Sequence, residues 1–333
     1  MVRCARAFIA TICERMDSAF TITMQDNLDF RRARSECLLR RAWGMLSGHR
    51  TDLLPWEEVR DKLKLRRLIQ RGIQTVPIAK IKGSVGRYKD FDDVFLPMND
   101  SLSNRWRKIN RAFYQDVNLP PVSLYKVGDA YFVLDGNHRV SVARTHGIKF
   151  IDADVQEAVT LVPVTADDID AKGLAVLSEY VEFLERTRLH LLRPNQDIRF
   201  SISGGYARLL EHITVHRYFM GLERQRDVSE EEAITDWYDN LYLPVVKAIR
   251  KARILAGFPS RTEADLYLWI MDHWHFIKEQ GGRDVSPEQA AADYVKRHAP
   301  KPLLGGVGQT ARRLAGALRA FLGHRSVIAH AGA

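Results

Sequence analysis

Asp135-Gly136-Asn137-His138-Arg139 constrains this chain more than any other stretch. It lies within YFVLDGNHRVSVARTHGIKF. There an apolar run, Tyr131 to Leu134, meets a glycine turn, then Val140, Val142 and Ala143, with a stop near His146-Gly147. The pattern predicts a strand, a tight turn and a helix. Glycine lets the backbone approach a ligand closely. The first N–H groups of a helix have no intrahelical partner and sit at its positive end. Asn137, His138 and Arg139 add side-chain donors at the same place. Such a corner suits an anion, and phosphate above all. The plainer reading is a strand–turn–helix corner with polar residues on its solvated side.

These residues also carry a resemblance. LPPVSLYKVGDAYFVLDGNHRVSVARTHGIKFIDADV, Leu119 to Val155, resembles the core of the ParB/sulfiredoxin-like superfamily, where a hairpin leads into a G-x-H-R or D-G-H-H-R type turn and a helix. Upstream, Val76 to Phe91 (VPIAKIKGSVGRYKDF) is similar to that family's first strand and following loop. The resemblance implies a small mixed-sheet domain whose turn and helix start bind nucleotide phosphates. Members include partitioning proteins that bind CTP, sulfiredoxins that use ATP, and free-serine kinases. It therefore implies a nucleotide, ATP, ADP or CTP, with Mg²⁺. Sulfiredoxins carry a cysteine just before the His-Arg pair; Asn137 stands there, so sulfinic-acid reduction has no nucleophile. The serine-kinase turn differs only in having His where this chain has Asn137. No helix-turn-helix of the partitioning type is readable.

Composition narrows the class. With 46% hydrophobic and 27% charged residues over 333 positions, the chain reads as a soluble globular protein of about two domains. No apolar run is long enough to span a bilayer, and Ala7 to Cys13 is short, with no small-residue cleavage site after it, against a signal peptide. Three cysteines without framework spacing point to a reducing cytoplasm. The net charge of +9 sits at the ends: residues 1–71 hold 15 Lys/Arg against 9 Asp/Glu, and residues 301–333 hold 5 Lys/Arg and no acid. Basic ends can hold DNA, and solvated basic helices are the equal alternative.

The fold class expected is α+β: a ParB/sulfiredoxin-like mixed-sheet domain with an N-terminal helical extension and a C-terminal α-helical domain. Residues 1–23 lack the amphipathic pattern that starts at Met24, and are expected to be an irregular, poorly packed extension from an upstream start. Residues 24–71 hold two helices, Asn27 to Ser47 and Glu57 to Arg71. The sheet domain covers 72–167: a strand Val76 to Ile81, a helix Ser101 to Gln115, a hairpin Val122 to Lys126 with Ala130 to Leu134, the signature helix, and a strand Ile151 to Glu157. Residues 168–300 read as helices, including Ile169 to Leu191 and Tyr206 to Arg224, with a Ser229/Glu232 capping box and a kink at Pro244. A basic tail, 301–333, ends in an amphipathic helix, Thr310 to Leu322. This half resembles an uncharacterised bacterial domain family found beside ParB-like modules, on Glu211–Gly221 (EHITVHRYFMG) and Arg261–Trp269 (RTEADLYLW). That likeness implies a helical domain and no known chemistry.

Other constellations read as structure. His212 and His216 lie four apart without a third ligand at a recognisable spacing, and no metal site is expected. Gly305 to Thr310 has Gln309 where a P-loop needs lysine. Trp237, Tyr238, Tyr242, Tyr267 and Trp269 fit a helix-packing core. The loop Gly83-Ser84-Val85-Gly86-Arg87 is different, because two glycines let it fold over a ligand. The ParB/sulfiredoxin-like resemblance implies that this loop lies near the signature turn, so that Ser84 and Arg87 join Gly136, Asn137, His138 and Arg139 as expected phosphate ligands; a plain β–α connection with a surface arginine is the alternative. Asp135, or one of Asp90, Asp92 and Asp93, would orient an acceptor hydroxyl if phosphate is transferred. Three readings stay open: a nucleotide-dependent kinase acting on a small hydroxyl acceptor, a nucleotide-gated DNA-binding regulator, dimeric and without turnover, and a structural module with a vestigial site.

Overall fold

The computed structural model describes residues 2–48 and 51–281. The chain divides after Leu174 into two compact units. The first carries a six-stranded mixed sheet with helices before and between its strands.

Helix α1 spans Val2–Ser47. It includes the segment expected to be irregular, and no proline or glycine occurs before Gly44 to interrupt it. Phe30, Ala33 and Cys37 form its buried face, packed with Trp106. After the short strand β1 (Leu54–Pro55), helix α2 covers only Trp56–Lys62. The expected helix to Arg71 is corrected here: Lys64 has φ 53, and strand β2 occupies Leu68–Pro77. β2 pairs antiparallel with Phe150–Ala158, so ladder hydrogen bonds to a distant segment override local helix propensity. The expected strand Val76 to Ile81 is likewise split. Pro77 ends β2, a 3₁₀ turn covers Ile78–Lys80, and strand β3 takes Ile81–Ser84. The Arg144 guanidinium donates to the carbonyls of Ile78 and Ile81 at 2.7 and 3.0 Å and fixes this corner.

Helix α3 follows at Ser103–Tyr114, then the hairpin of β4 (Val122–Val127) and β5 (Ala130–Asp135), helix α4 (Asn137–Thr145) and strand β6 (Phe150–Ala158). The strand order is β1-β3-β5-β4-β6-β2. β5 is central, and Ala130 to Val133 are buried. Leu134 and Asp135, at its end, are exposed. The core gathers Val76, Ile81, Phe91, Phe95, Val122, Leu124, Val133, Val140 and Val155. Each such side chain contributes about 1.5–3 kcal/mol by leaving water. β3 and β5 run parallel, with Ser84 opposite Val133. Their carboxyl ends therefore open at the same edge, where α/β sheets commonly hold ligands.

The second unit is helical in its described part. After α5 (Ala171–Thr187), which crosses the division, come α6 (Leu189–Leu192), α7 (Gly205–Arg224), α8 (Glu230–Asp236), α9 (Leu243–Lys251) and α10 (Glu263–Gly281). Ser229 caps α8 by accepting from the Glu232 N–H at 3.2 Å, as its spacing predicts. The kink expected at Pro244 takes the form of a π-helical turn, Trp237–Tyr242, just ahead of it. Proline cannot donate to the carbonyl four residues back, and the wider turn relieves the clash of its ring. Trp237, Tyr242 and Tyr267 are buried together, and the Trp237 indole N–H donates to the Tyr267 hydroxyl at 3.1 Å.

Candidate functional site

The turn from β5 to α4 forms as its residues dictate. Gly136 caps α4 with φ 106 and ψ 22, a conformation only glycine adopts without strain. Its carbonyl accepts the first helical bond, from the Val140 N–H at 3.0 Å. Asn137 and His138, the first two residues of α4, are only 7% and 5% exposed. Among the described residues, neither Asn137 Oδ1 nor His138 Nδ1 has a hydrogen-bond partner. A buried polar atom left unpaired costs about 1–3 kcal/mol. Two lie side by side at this helix start.

Both residues line a cavity of about 270 Å³ at the carboxyl end of β5. Gly86 and Arg87 wall it from the loop after β3, and Leu134, Asp135, Gly136 and Arg139 from the turn. Arg105 and Ile109 of α3 complete it.

The expected ligands fare differently. Arg139 lines the cavity but is largely committed to structure. Its guanidinium donates to the carbonyls of Pro120 and Pro121 and to the Asp135 carboxylate at 2.5 Å. Those bonds pin the α4 start to the strand that begins at Val122. Arg87 stands half-exposed at the wall, paired with Asp90 at 3.1 Å. Ser84 is buried, with its hydroxyl on the Val133 carbonyl at 3.2 Å, and does not line the cavity. Asp92 is also buried and staples its own loop by accepting from the N–H groups of Val94 and Leu96 at 3.1 and 2.7 Å. Burial pushes its carboxyl up to about 6. Asp93 pairs with Arg40 at 3.1 Å and lines a different cavity, of about 730 Å³, together with Lys82 and Lys172. Of the four carboxylates considered, only Asp135 faces the pocket.

Arg105 escaped sequence reasoning. It is one of several basic residues on α3, and nothing local marks it out from Arg107, Lys108 or Arg111. Packing selects it. The Trp106 indole donates to Ser141 of α4 at 2.9 Å, and Asn110 bonds His146 at 2.6 Å. Asn110 also donates to Asp29 of α1 at 3.0 Å, and Arg111 to Asp26 at 2.9 Å. α3 is thus fixed between α1 and α4, with exposed Arg105 at the cavity wall.

The electrostatics follow from burial and these arginines. Burial, then the charges of Arg105 and Arg87, press the His138 imidazole down to about 4, so it is neutral at pH 7. The donor set does not suit Mg²⁺. That ion wants oxygen ligands, commonly one or two carboxylates, and the single carboxylate in this wall is held by Arg139. No cluster of three or more His, Cys, Asp or Glu able to hold a metal occurs among the described residues.

Residues 205–299 match the family described as Domain of unknown function (DUF4032). No curated protein matches the chain. A solved structure, the C2221 form of the Pnob8-like ParB-N domain, is similar at 11% identity over 69% of this chain and 81% of that one, with a TM-score of 0.19.

In the matched part His212 Nδ1 is likewise buried without a hydrogen-bond partner among the described residues, and Arg217 and Arg226 line a cavity of about 620 Å³. His216 Nε2 donates to Asp236 Oδ1, 2.9 Å away, and His212 packs edge-on to Tyr267 with ring centroids 5.9 Å apart. Trp237, Tyr238, Tyr242 and Tyr267 are buried, and Trp269 lies under the Arg261 guanidinium at 5.2 Å. These contacts agree with a packing role. The glycine run at 305–310 and the basic tail 301–333 lie outside the described residues. No described helix is long and apolar enough to cross a membrane.

Proposed function

We propose that the first unit binds the phosphate end of a nucleotide at the start of α4. The observation that carries this reading is a pair of buried, unpartnered polar atoms, Asn137 Oδ1 and His138 Nδ1, on two residues that line a cavity bordered by Arg87 and Arg105. The amide of Asn137 can turn to present its NH₂, and neutral His138 can donate from Nδ1. The free N–H groups of the first turn of α4 add to them. A cavity of about 270 Å³ admits phosphates and leaves the base of a nucleotide on the surface beside α3.

Binding without turnover is better supported than phosphoryl transfer. A kinase needs a carboxylate free to orient the acceptor hydroxyl. Asp135, the one carboxylate in the wall, is already bonded to Arg139, and Asp92 is inaccessible. The kinase reading would assign the acceptor to Asp135, and Asp135→Asn would then abolish nucleotide consumption while sparing affinity. A gated binder consumes little nucleotide and changes its oligomeric state or its hold on DNA instead.

The test is a thermal-shift series with ATP, ADP, CTP and GTP, each with and without Mg²⁺. A ligand that binds only the folded state raises the midpoint, by about 2.7 kcal/mol of added stability at a hundredfold excess over Kd. His138→Ala and Arg105→Ala should each shrink the shift. An equal shift in both variants, or none with any nucleotide in the wild type, removes the reading.

A further inference from the structure

We propose that the α4 pocket takes its phosphate directly on protein donors, without a divalent cation, so that a bare pyrophosphate or nucleoside diphosphate binds more tightly than its Mg²⁺ complex. The inference rests on the reading that this pocket receives a phosphate group.

Each carboxylate near the pocket is already engaged. Asp135 Oδ2 lies 2.5 Å from Arg139 Nη2. Asp90, beside the loop, takes the Arg87 guanidinium at 3.1 Å. Asp92 has no exposed side-chain surface and spends Oδ1 on two backbone N–H groups, and Asp93 is held by Arg40. A cation would have to displace a guanidinium from its carboxylate and then sit among the arginines that line the cavity. Both steps are electrostatically unfavourable, and more so where water is scarce.

The same arginines supply what a metal would supply. Arg87 comes from the loop after β3 and Arg105 from α3, so they approach from two elements. Guanidinium is the side chain best matched to phosphate, bonding two oxygens at once. His138 is neutral and can donate without adding charge. The start of α4 favours negative charge over any cation. A Mg²⁺-bound phosphate arrives with its charge partly cancelled and with waters that must be shed, and it gains less from such a wall.

Isothermal titration of the full chain with sodium pyrophosphate and with ADP, each in EDTA and in excess MgCl₂, tests the proposal. The dissociation constant should be several-fold lower in EDTA. Arg105→Gln, an exposed change that leaves the core untouched, should raise it in EDTA by about tenfold or more, the scale of one charged hydrogen bond. Asp135→Asn removes the one negative charge of the wall and should lower it. Binding seen only in MgCl₂ overturns the proposal and leaves the phosphate pocket standing. So does loss of binding in Asp135→Asn at an unchanged melting temperature, because a carboxylate would then be carrying a cation. No binding in either buffer removes the pocket reading and this inference together.

Discussion

Gly136→Ala isolates the turn on which the candidate site is built. Two costs are separable. The first is conformational: φ 106 lies in the region that side chains disfavour by about 1–2 kcal/mol. The second is steric. An added Cβ would lie 2.6 Å from Val122 Cγ1 and 3.0 Å from Val122 Cβ, against a fully buried side chain of β4. The Arg139 Nε, 3.1 Å away, belongs to a longer side chain and can yield by a few tenths of an ångström. Overpacking of this kind costs about 1–3 kcal/mol, which brings the expected loss to roughly 2–5 kcal/mol. Urea denaturation measures it. Most of the steric part should disappear when Val122→Ala removes the methyl 2.6 Å away, Val122 Cβ at 3.0 Å remaining, and the conformational part should stay. A double-mutant cycle is then expected to show a favourable coupling of about 1–3 kcal/mol. If Gly136→Ala costs the same in both backgrounds, the contact with Val122 does not shape this turn and the steric argument fails.

Arg139→Ala should destabilise the first unit by about 2–3 kcal/mol, because two carbonyls and Asp135 lose a shared donor; Arg139→Lys should not restore it, since lysine lacks the fork, and full stability in either variant by denaturant titration would contradict the clamp. His138 sets a pH dependence of known sign. Its folded-state pKa, about 4, lies below the unfolded 6.5, so stability present above pH 6.5 is lost as the pH falls toward 4, by at most about 3 kcal/mol. Wild type and His138→Asn should therefore converge in stability across that window, and parallel curves would show that the imidazole titrates normally. Asp92→Ala should cost about 2–4 kcal/mol by freeing the N–H groups of Val94 and Leu96 inside the fold. Its nucleotide affinity should be unchanged, and a selective loss of affinity on titration would return Asp92 to the site.

The parts of the fold legible in sequence are those whose signals are local. The hairpin, the turn at Gly136, α4 and the start of β6 each carry their own punctuation within a few residues. The Ser229 cap is readable for the same reason. β2 was not legible, because only a few of its ten residues are even half-buried and its exposure shows no strict alternation. Its identity depends on pairing with β6, about eighty residues away, and Gly72 adds an irregularity in that pairing. Within the site, Gly136, Asn137 and His138 were readable from the motif. The direction of a side chain was not. Ser84 belongs to the right strand end yet turns into the sheet, and Arg105 reaches the cavity only because Trp106 and Asn110 orient α3 through tertiary bonds.

The pairing of β2 with β6 also dictates an order of assembly. Leu68 meets Ala158 and Pro77 meets Phe150, so one margin of the sheet closes across about half of the unit's sequence. During synthesis the segment 68–77 emerges long before its partner and must wait with its backbone groups unmatched. The hairpin of β4 and β5 needs no such delay, since its strands are joined by two residues. The turn that carries Asn137 and His138 leaves the ribosome just behind that hairpin, whereas both ladders of β6, to β4 and to β2, wait for residues 150–158.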